Sequence, residues 1–234
     1  MHDVNIKENI YAENDHIAHH TNHDLTHKAA FALNVMGSPG AGKTTALENI
    51  IKRLKAYEPV VIEGDIESDI DAVRFRSQGV KAYQINTFGA CHLDAPMVRN
   101  AVQNIDFVKP GENAEGKILK GSVIFIENVG NLVCPAEFSI GEHANLLISS
   151  AAEGSDKPYK YPLAFEKAEI ILLTKTDLIP YLEFDEEYFI SGIRHLNKTA
   201  KIIKTSVKTG EGFDEAAALI EEFAGEAIGG HHHD

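Results

Sequence analysis

The chain has 234 residues, 44% of them hydrophobic, enough for one large domain with a sizeable core. A formal net charge of −13 repels polyanions and argues against non-specific nucleic-acid binding. No apolar stretch is long enough to span a membrane, and no basic-then-apolar leader is visible. Two cysteines, Cys91 and Cys134, do not make a disulfide framework and fit a reducing, cytoplasmic setting.

In chain order, residues 1–28 carry no strong apolar period and hold His2, His16, His19, His20, His23 and His27. They are expected to form an extension outside the core, partly disordered or helical. From Phe31 short apolar runs alternate with amphipathic stretches, which predicts an α/β fold. The expected strands are Phe31–Met36, Pro59–Glu63, Lys81–Ile85, Ser122–Ile126, Ala144–Ser149, Glu169–Leu173 and Lys201–Lys204. They make a mostly parallel, seven-stranded sheet, since several read as unbroken Val/Ile/Leu runs. The expected helices are Lys43–Tyr57, Ser68–Gln78, Ala95–Asn104, Asp185–Leu196 and Asp214–Phe223. Residues 109–121 read as a surface loop. The domain is expected over 29–226, followed by a tail, 227–234, that holds His231–His233. That run also reads as an added purification tag.

Gly37-Ser38-Pro39-Gly40-Ala41-Gly42-Lys43-Thr44, then Thr45, sits between a strand and a helix and matches the phosphate-loop pattern. Its glycines let backbone N–H groups curl around phosphate oxygens at a helix N-terminus. Lys43 is expected on the β- and γ-phosphates and the Thr44 hydroxyl on Mg²⁺. The fold is therefore that of a phosphate-loop nucleotide hydrolase.

Thr174-Lys175-Thr176-Asp177, after an apolar strand, resembles the guanine-recognition motif of GTPases. A carboxylate there accepts from the N1 and N2 donors of guanine, which adenine lacks. The Lys175 stem would lie against the base. Ser206, Val207 and Lys208 resemble the second base-contacting loop. Glu127-Asn128-Val129-Gly130 sits where GTPases carry D-x-x-G, with its carboxylate on the Mg²⁺ shell and the Gly130 N–H sensing the γ-phosphate. Asn131, not Gln, follows Gly130, so no water-positioning glutamine is available there. Asp65 is the candidate for the attacking water or the Mg²⁺ shell, and equally a helix cap, a role open to Ser68 as well.

Cys91 and His92 lie together after a strand, and Cys134 follows another. Strand ends on one edge of an α/β sheet converge, so these three suit Ni²⁺ or Zn²⁺. Inert cysteines or a Cys91–Cys134 disulfide are the alternatives. His16, His20, His23 and His27 are spaced 4, 3 and 4 apart, on one face of any helix there, and imidazoles so placed chelate soft divalent metals.

GSPGAGKTT, EGDIESDIDA, GACHLDAP, ENVGNLVCPAEFSIG, EGSDKPYKYP and TKTDL, in this order, resemble the HypB family, GTPases that help insert nickel into [NiFe] hydrogenase. The resemblance runs from about Ala32 to Phe223 and implies a SIMIBI-like GTPase fold. It also implies a GTP-dependent homodimer with Cys91, His92 and Cys134 as interfacial metal ligands, and hydrogenase-maturation partners: a nickel-binding accessory protein and the hydrogenase large subunit. By the same resemblance Lys160, with Lys157 as the alternative, reaches the partner's nucleotide. Thr174 stands where the family usually has Asn, and residues 109–121 are longer than usual. A urease nickel GTPase resembling UreG and a His-rich metal-storage protein are the competing readings.

Overall fold

The structure is a computed structural model. It describes residues 6–65, 69–87, 89–112 and 116–229, with side chains for all of these except 6–10, 65 and 112. Ser68 and His231–His233 therefore lie outside the described residues, as does the side chain of Asp65.

The first half of the chain forms α1 (Ile6–His27), β1 (Ala30–Met36), α2 (Lys43–Ile51), β2 (Glu58–Asp65), α3 (Ile70–Ser77), β3 (Lys81–Asn86) and α4 (Ala95–Gln103). The rest forms β4 (Gly111–Glu112), β5 (Ile118–Leu119), β6 (Ser122–Glu127), α5 (Cys134–Glu137), β7 (Ala144–Ser150), α6 (Lys157–Lys160), α7 (Pro162–Lys167), β8 (Ile170–Thr174), α8 (Glu186–Leu196), β9 (Lys201–Lys204) and α9 (Phe213–Gly229). Seven strands pair in the order β3-β2-β6-β1-β7-β8-β9, all parallel. The apolar runs of β1, β6 and β8 are buried throughout because helices cover both faces. Phe31, Leu33 and Val35 pack with Leu47 and Ile50 of α2 and Ile220 of α9. The alternate residues Ala30 and Ala32 face Leu25 of α1 and Val98 of α4.

Some boundaries differ from expectation for tertiary reasons. The helix expected to reach Tyr57 stops at Ile51, because Glu221 of α9 accepts the N–H groups of Lys55 and Ala56, both at 2.6 Å. The last helix runs on to Gly229, and Ile228 joins the core, so residues 227–229 are helix rather than tail. Within the 109–121 segment, β4 and β5 form a small antiparallel pair. Among the described residues no helix is long and apolar enough to cross a membrane.

The N-terminal extension, expected outside the core, is a helix laid on it. Asn14, Ala18, Thr21 and Leu25 make its buried stripe, while His16, His20, His23 and His27 line the exposed face opposite. Asn14 bridges two loops: its Nδ2 donates to Ser139 O (2.8 Å) and its Oδ1 accepts from Ala95 N (3.0 Å). His143 ties α1 to the sheet, with Nδ1 accepting from Ala32 N (3.0 Å) and Nε2 paired with Thr26 Oγ1 (2.9 Å).

Burial holds the His143 pKa down at about 4. Its folded pKa lies below the unfolded value of about 6.5, so the neutral form is the native one and an unfolded chain binds the extra proton. Stability from this contact is present above pH 6.5 and is lost as pH falls towards 4, with a slope of at most about 1.4 kcal/mol per pH unit. Chemical denaturation between pH 7 and pH 4.5 should show His143→Gln with a flatter pH dependence than the wild type. Parallel curves would deny His143 this role.

Candidate functional site

The sheet delivers its loops to the edge where the parallel strands end, the usual position of ligands in such folds. After β1 the chain turns through Gly37 to Gly42 into α2. A Cβ on Gly37 would lie 2.6 Å from Ile148 O, and Gly42 holds φ 93°, so both positions require glycine. Lys43 is buried; its Nζ donates to Gly37 O (3.3 Å) and lies 3.9 Å from Glu127 Oε1. Thr44 Oγ1 donates to the same Glu127 oxygen at 3.2 Å. Gly130 packs against Pro39, where a Cβ would sit 3.0 Å from Cγ. The loop after β6 therefore lies against the phosphate loop.

Glu127 has a buried neighbour that sequence reasoning missed. Glu63 is its register partner on β2, and both are nearly inaccessible. Burial first, then the charges of Glu127 and Asp71, push Glu63 up to about 10. Burial pushes Glu127 up to about 7 against the lowering pull of Lys43. One oxygen of each, Glu63 Oε1 and Glu127 Oε2, is buried without a hydrogen-bond partner among the described residues. Such orphaned acceptors are costly unless a cation or proton satisfies them. An oxygen-rich cluster beside Thr44 fits Mg²⁺. The sequence signal for Glu63 is an acidic residue inside the apolar run VVIEG, two residues before Asp65.

On the other side of the phosphate loop lies a cavity of about 300 Å³ lined by Ala41, Thr45, Thr174, Lys175, Asp177 and Lys208, among others, including Val207. One Asp177 oxygen accepts from Ser206 Oγ (2.7 Å), which sets the carboxylate's orientation. Lys175 adopts φ 58°, and its Nζ donates to Gly40 O (2.8 Å), laying its stem along the phosphate loop. Thr174, where the HypB pattern has Asn, donates to Ala41 O at 2.7 Å, so the tether between the loops is present in this chain. Of the two candidate lysines, Lys157 reaches this chain's own phosphate loop, at 3.4 Å from Ser38 Oγ, while also pairing with Glu153. Lys160 is exposed and pairs with Asp156, which raises its pKa and lowers that of Asp156.

Cys91, His92 and Cys134 converge. Their ligand atoms lie within 4.8 Å of one another, and Cys91 Sγ is 3.5 Å from His92 Nδ1. Both cysteines are free, so the disulfide alternative falls. Cys134 opens α5 and Cys91 sits on the loop after β3, which Asn131 contacts by donating to Cys91 O (3.5 Å). Burial lowers the His92 pKa, which keeps the ring neutral and able to ligate. Two thiols and an imidazole suit Ni²⁺ or Zn²⁺, with an open fourth position. His92 stacks on Phe138 (centroids 4.4 Å apart), which stacks on Tyr11 of α1 (4.9 Å). No sequence pattern pointed to that stack. On the outer face of α1, His16 and His20 bring Nε2 atoms to 3.2 Å, and His23 and His27 to 3.1 Å.

Comparison with known proteins places this arrangement among relatives. Residues 31–204 match the family model "CobW/HypB/UreG, nucleotide-binding domain". The chain is 45% identical over 223 residues to the hydrogenase maturation factor HypB of Azotobacter chroococcum, covering 95% of this chain and 70% of that one. It is 37% identical to the hydrogenase/urease maturation factor HypB of Helicobacter pylori, covering 94% of this chain and 88% of the relative. Among solved structures it resembles HypB from Archaeoglobus fulgidus, with a TM-score of 0.79, 32% identity and coverage of 91% and 99%. It also resembles Helicobacter pylori HypB in complex with nickel, with a TM-score of 0.82, 34% identity and coverage of 92% and 97%.

Proposed function

The chain belongs to the CobW/HypB/UreG family and, within it, to the HypB proteins; from that premise we propose that it hydrolyses GTP to GDP and phosphate and uses the nucleotide state to govern delivery of nickel during [NiFe] hydrogenase maturation. The observation that carries this reading is the sharing of one sheet edge by the nucleotide loops and a cluster of soft metal ligands.

The phosphate loop, Gly37 to Thr45, cradles the phosphates through its N–H groups, and Lys43 neutralises charge that grows on the transferred phosphoryl. Lys43 rests on Gly37 O and near Glu127. Thr44, Glu127 and Asp65 would hold Mg²⁺, with Glu63 lending a further buried carboxylate. Held there, the ion would supply positive charge to offset that of the phosphates. Gly130 donates its N–H to the γ-phosphate. Asp177, held by Ser206, accepts from guanine, while Thr174, Lys175, Val207 and Lys208 enclose the base in the cavity. Cys91, His92 and Cys134 take nickel or zinc as cargo. Lys160, free of the local phosphate loop, is available to a second copy's nucleotide in a homodimer. The partners on this reading are a nickel-binding accessory protein and the hydrogenase large subunit, in the cytoplasm.

The guanine assignment makes a sharp expectation. Asp177→Asn should lose GTP turnover and gain XTP turnover, because the amide donates where xanthine carries an acceptor. Loss of a charge-assisted pair costs about 1.5–3 kcal/mol, or roughly 10- to 150-fold in KM. Unchanged GTP use by the variant removes the assignment.

The imidazole pairs of α1 favour a second reading, metal storage, because each pair has two ring nitrogens close enough to share an ion. Truncation of residues 1–28 would not separate the readings, since Leu25 and Asn14 belong to the packed structure. His16, His20, His23 and His27 are exposed, so their replacement with Gln removes the imidazole pairs while the buried stripe of α1 keeps its residues. If delivery is the function, this quadruple variant should support hydrogenase maturation, and Cys91→Ala should not. The reverse result favours storage. The Helicobacter pylori relative is named for both hydrogenase and urease; urease activation by this chain in a strain lacking its own nickel GTPase distinguishes the UreG-like reading.

A further inference from the structure

Resting on the nucleotide-governed metal reading above, we propose that Asn128 is the positioning residue through which the nucleotide state reaches the metal ligands. Asn128 is almost wholly buried, between the Mg²⁺-side carboxylate Glu127 and the γ-phosphate loop that ends in Gly130. Its Oδ1 accepts two backbone N–H groups, from Val129 at 3.0 Å and from Leu93 at 2.9 Å. Val129 precedes Gly130, which packs on the phosphate loop at Pro39. Leu93 directly follows Cys91 and His92. One carbonyl oxygen therefore belongs at once to the loop that meets phosphate and to the loop that carries two of the three metal ligands.

The amide cannot swivel to release one loop and keep the other. Both groups facing Oδ1 are donors, so only the oxygen can stand there. The opposite end is anchored as well: Asn128 Nδ2 donates to Asn34 Oδ1 (3.1 Å), and Asn34 Nδ2 donates to Asn145 Oδ1 (3.1 Å). This row of three amides crosses from the residue just after β6 through β1 to the start of β7. Leu93 is no looser. Its side chain is fully buried and occupies the space where a Cβ on Gly64 would lie, 2.7 Å away, just past Glu63 on β2. A shift of Val129 and Gly130 towards a γ-phosphate either carries Asn128 and the Leu93 N–H with it or leaves a buried donor unpaired. The first outcome moves the backbone that sets the Cys91 and His92 positions. Asn131 adds a second, weaker tie to the same loop through Cys91 O at 3.5 Å.

The test is titration of Ni²⁺ into the full chain, wild type and Asn128→Ala, each saturated with GDP or with a non-hydrolysable GTP analogue. Coupled sites typically differ in affinity by about 5- to 150-fold between effector states. The wild type should show a ratio in that range, and Asn128→Ala a ratio near one while still binding both nucleotides. An equal ratio in wild type and variant overturns the role of Asn128 and leaves the nickel-delivery reading in place. A ratio of one in the wild type overturns both. Amide exchange of the wild type gives a readout that survives a poorly folding variant: Leu93 N–H protection should differ between the two nucleotides, and equal protection overturns the proposal.

Discussion

Two carboxylates, Glu63 and Glu127, are register partners on neighbouring strands and are buried beside Lys43 and Thr44. Carboxylates taken out of water resist ionisation: burial first, then the charges of Glu127 and Asp71, push Glu63 up to about 10, and burial pushes Glu127 up to about 7. Only a proton, Lys43 or a cation offsets that burial. The parallel register of β2 and β6 fixes the pair, because Glu63 and Glu127 each stand near a strand's end. From there the chain has to turn into loops whose positions follow from the strands.

Those loops fall into two groups on either side of Glu127. Towards β7, β8 and β9 lies the cavity lined by Asp177 and Lys175, beside the contacts of Thr174 with Ala41 O and of Lys175 with Gly40 O. Towards β2 and β3 lies the cysteine and histidine cluster, backed by Phe138 and the N-terminal helix through Tyr11. The strand order puts β6 beside β1, so the loop after β6 touches the phosphate loop on one side and the metal loop on the other. Topology, rather than any single residue, makes the two chemistries neighbours.

Much of this was legible in the sequence where function depends on local chemistry. The phosphate loop needs glycine at particular backbone angles, so its spacing is diagnostic. Asp177 follows a strand so apolar that its charge stands out. The convergence of Cys91, His92 and Cys134 followed from parallel strand ends sharing an edge. What was hidden depends on distant partners. The buried stripe of α1 is Asn14, Ala18, Thr21 and Leu25, too small and polar to give an apolar period, so the helix read as an extension. Helix α2 ends early because of Glu221, more than 160 residues away. Glu63 is hard to read from sequence because buried acids are rare and only its register partner Glu127, on a neighbouring strand, gives it a role.

The central claim is that nickel is held by the two cysteines and His92 at the sheet edge, under the influence of the nucleotide. Nickel-edge X-ray absorption of the wild-type protein loaded with one equivalent of Ni²⁺ tests it most directly. The account predicts two sulfur ligands and at least one imidazole in the first shell, with a shell that changes between GDP and a non-hydrolysable GTP analogue. A shell of nitrogen and oxygen alone, the same with either nucleotide, would place the metal on the imidazole pairs of α1 and contradict it.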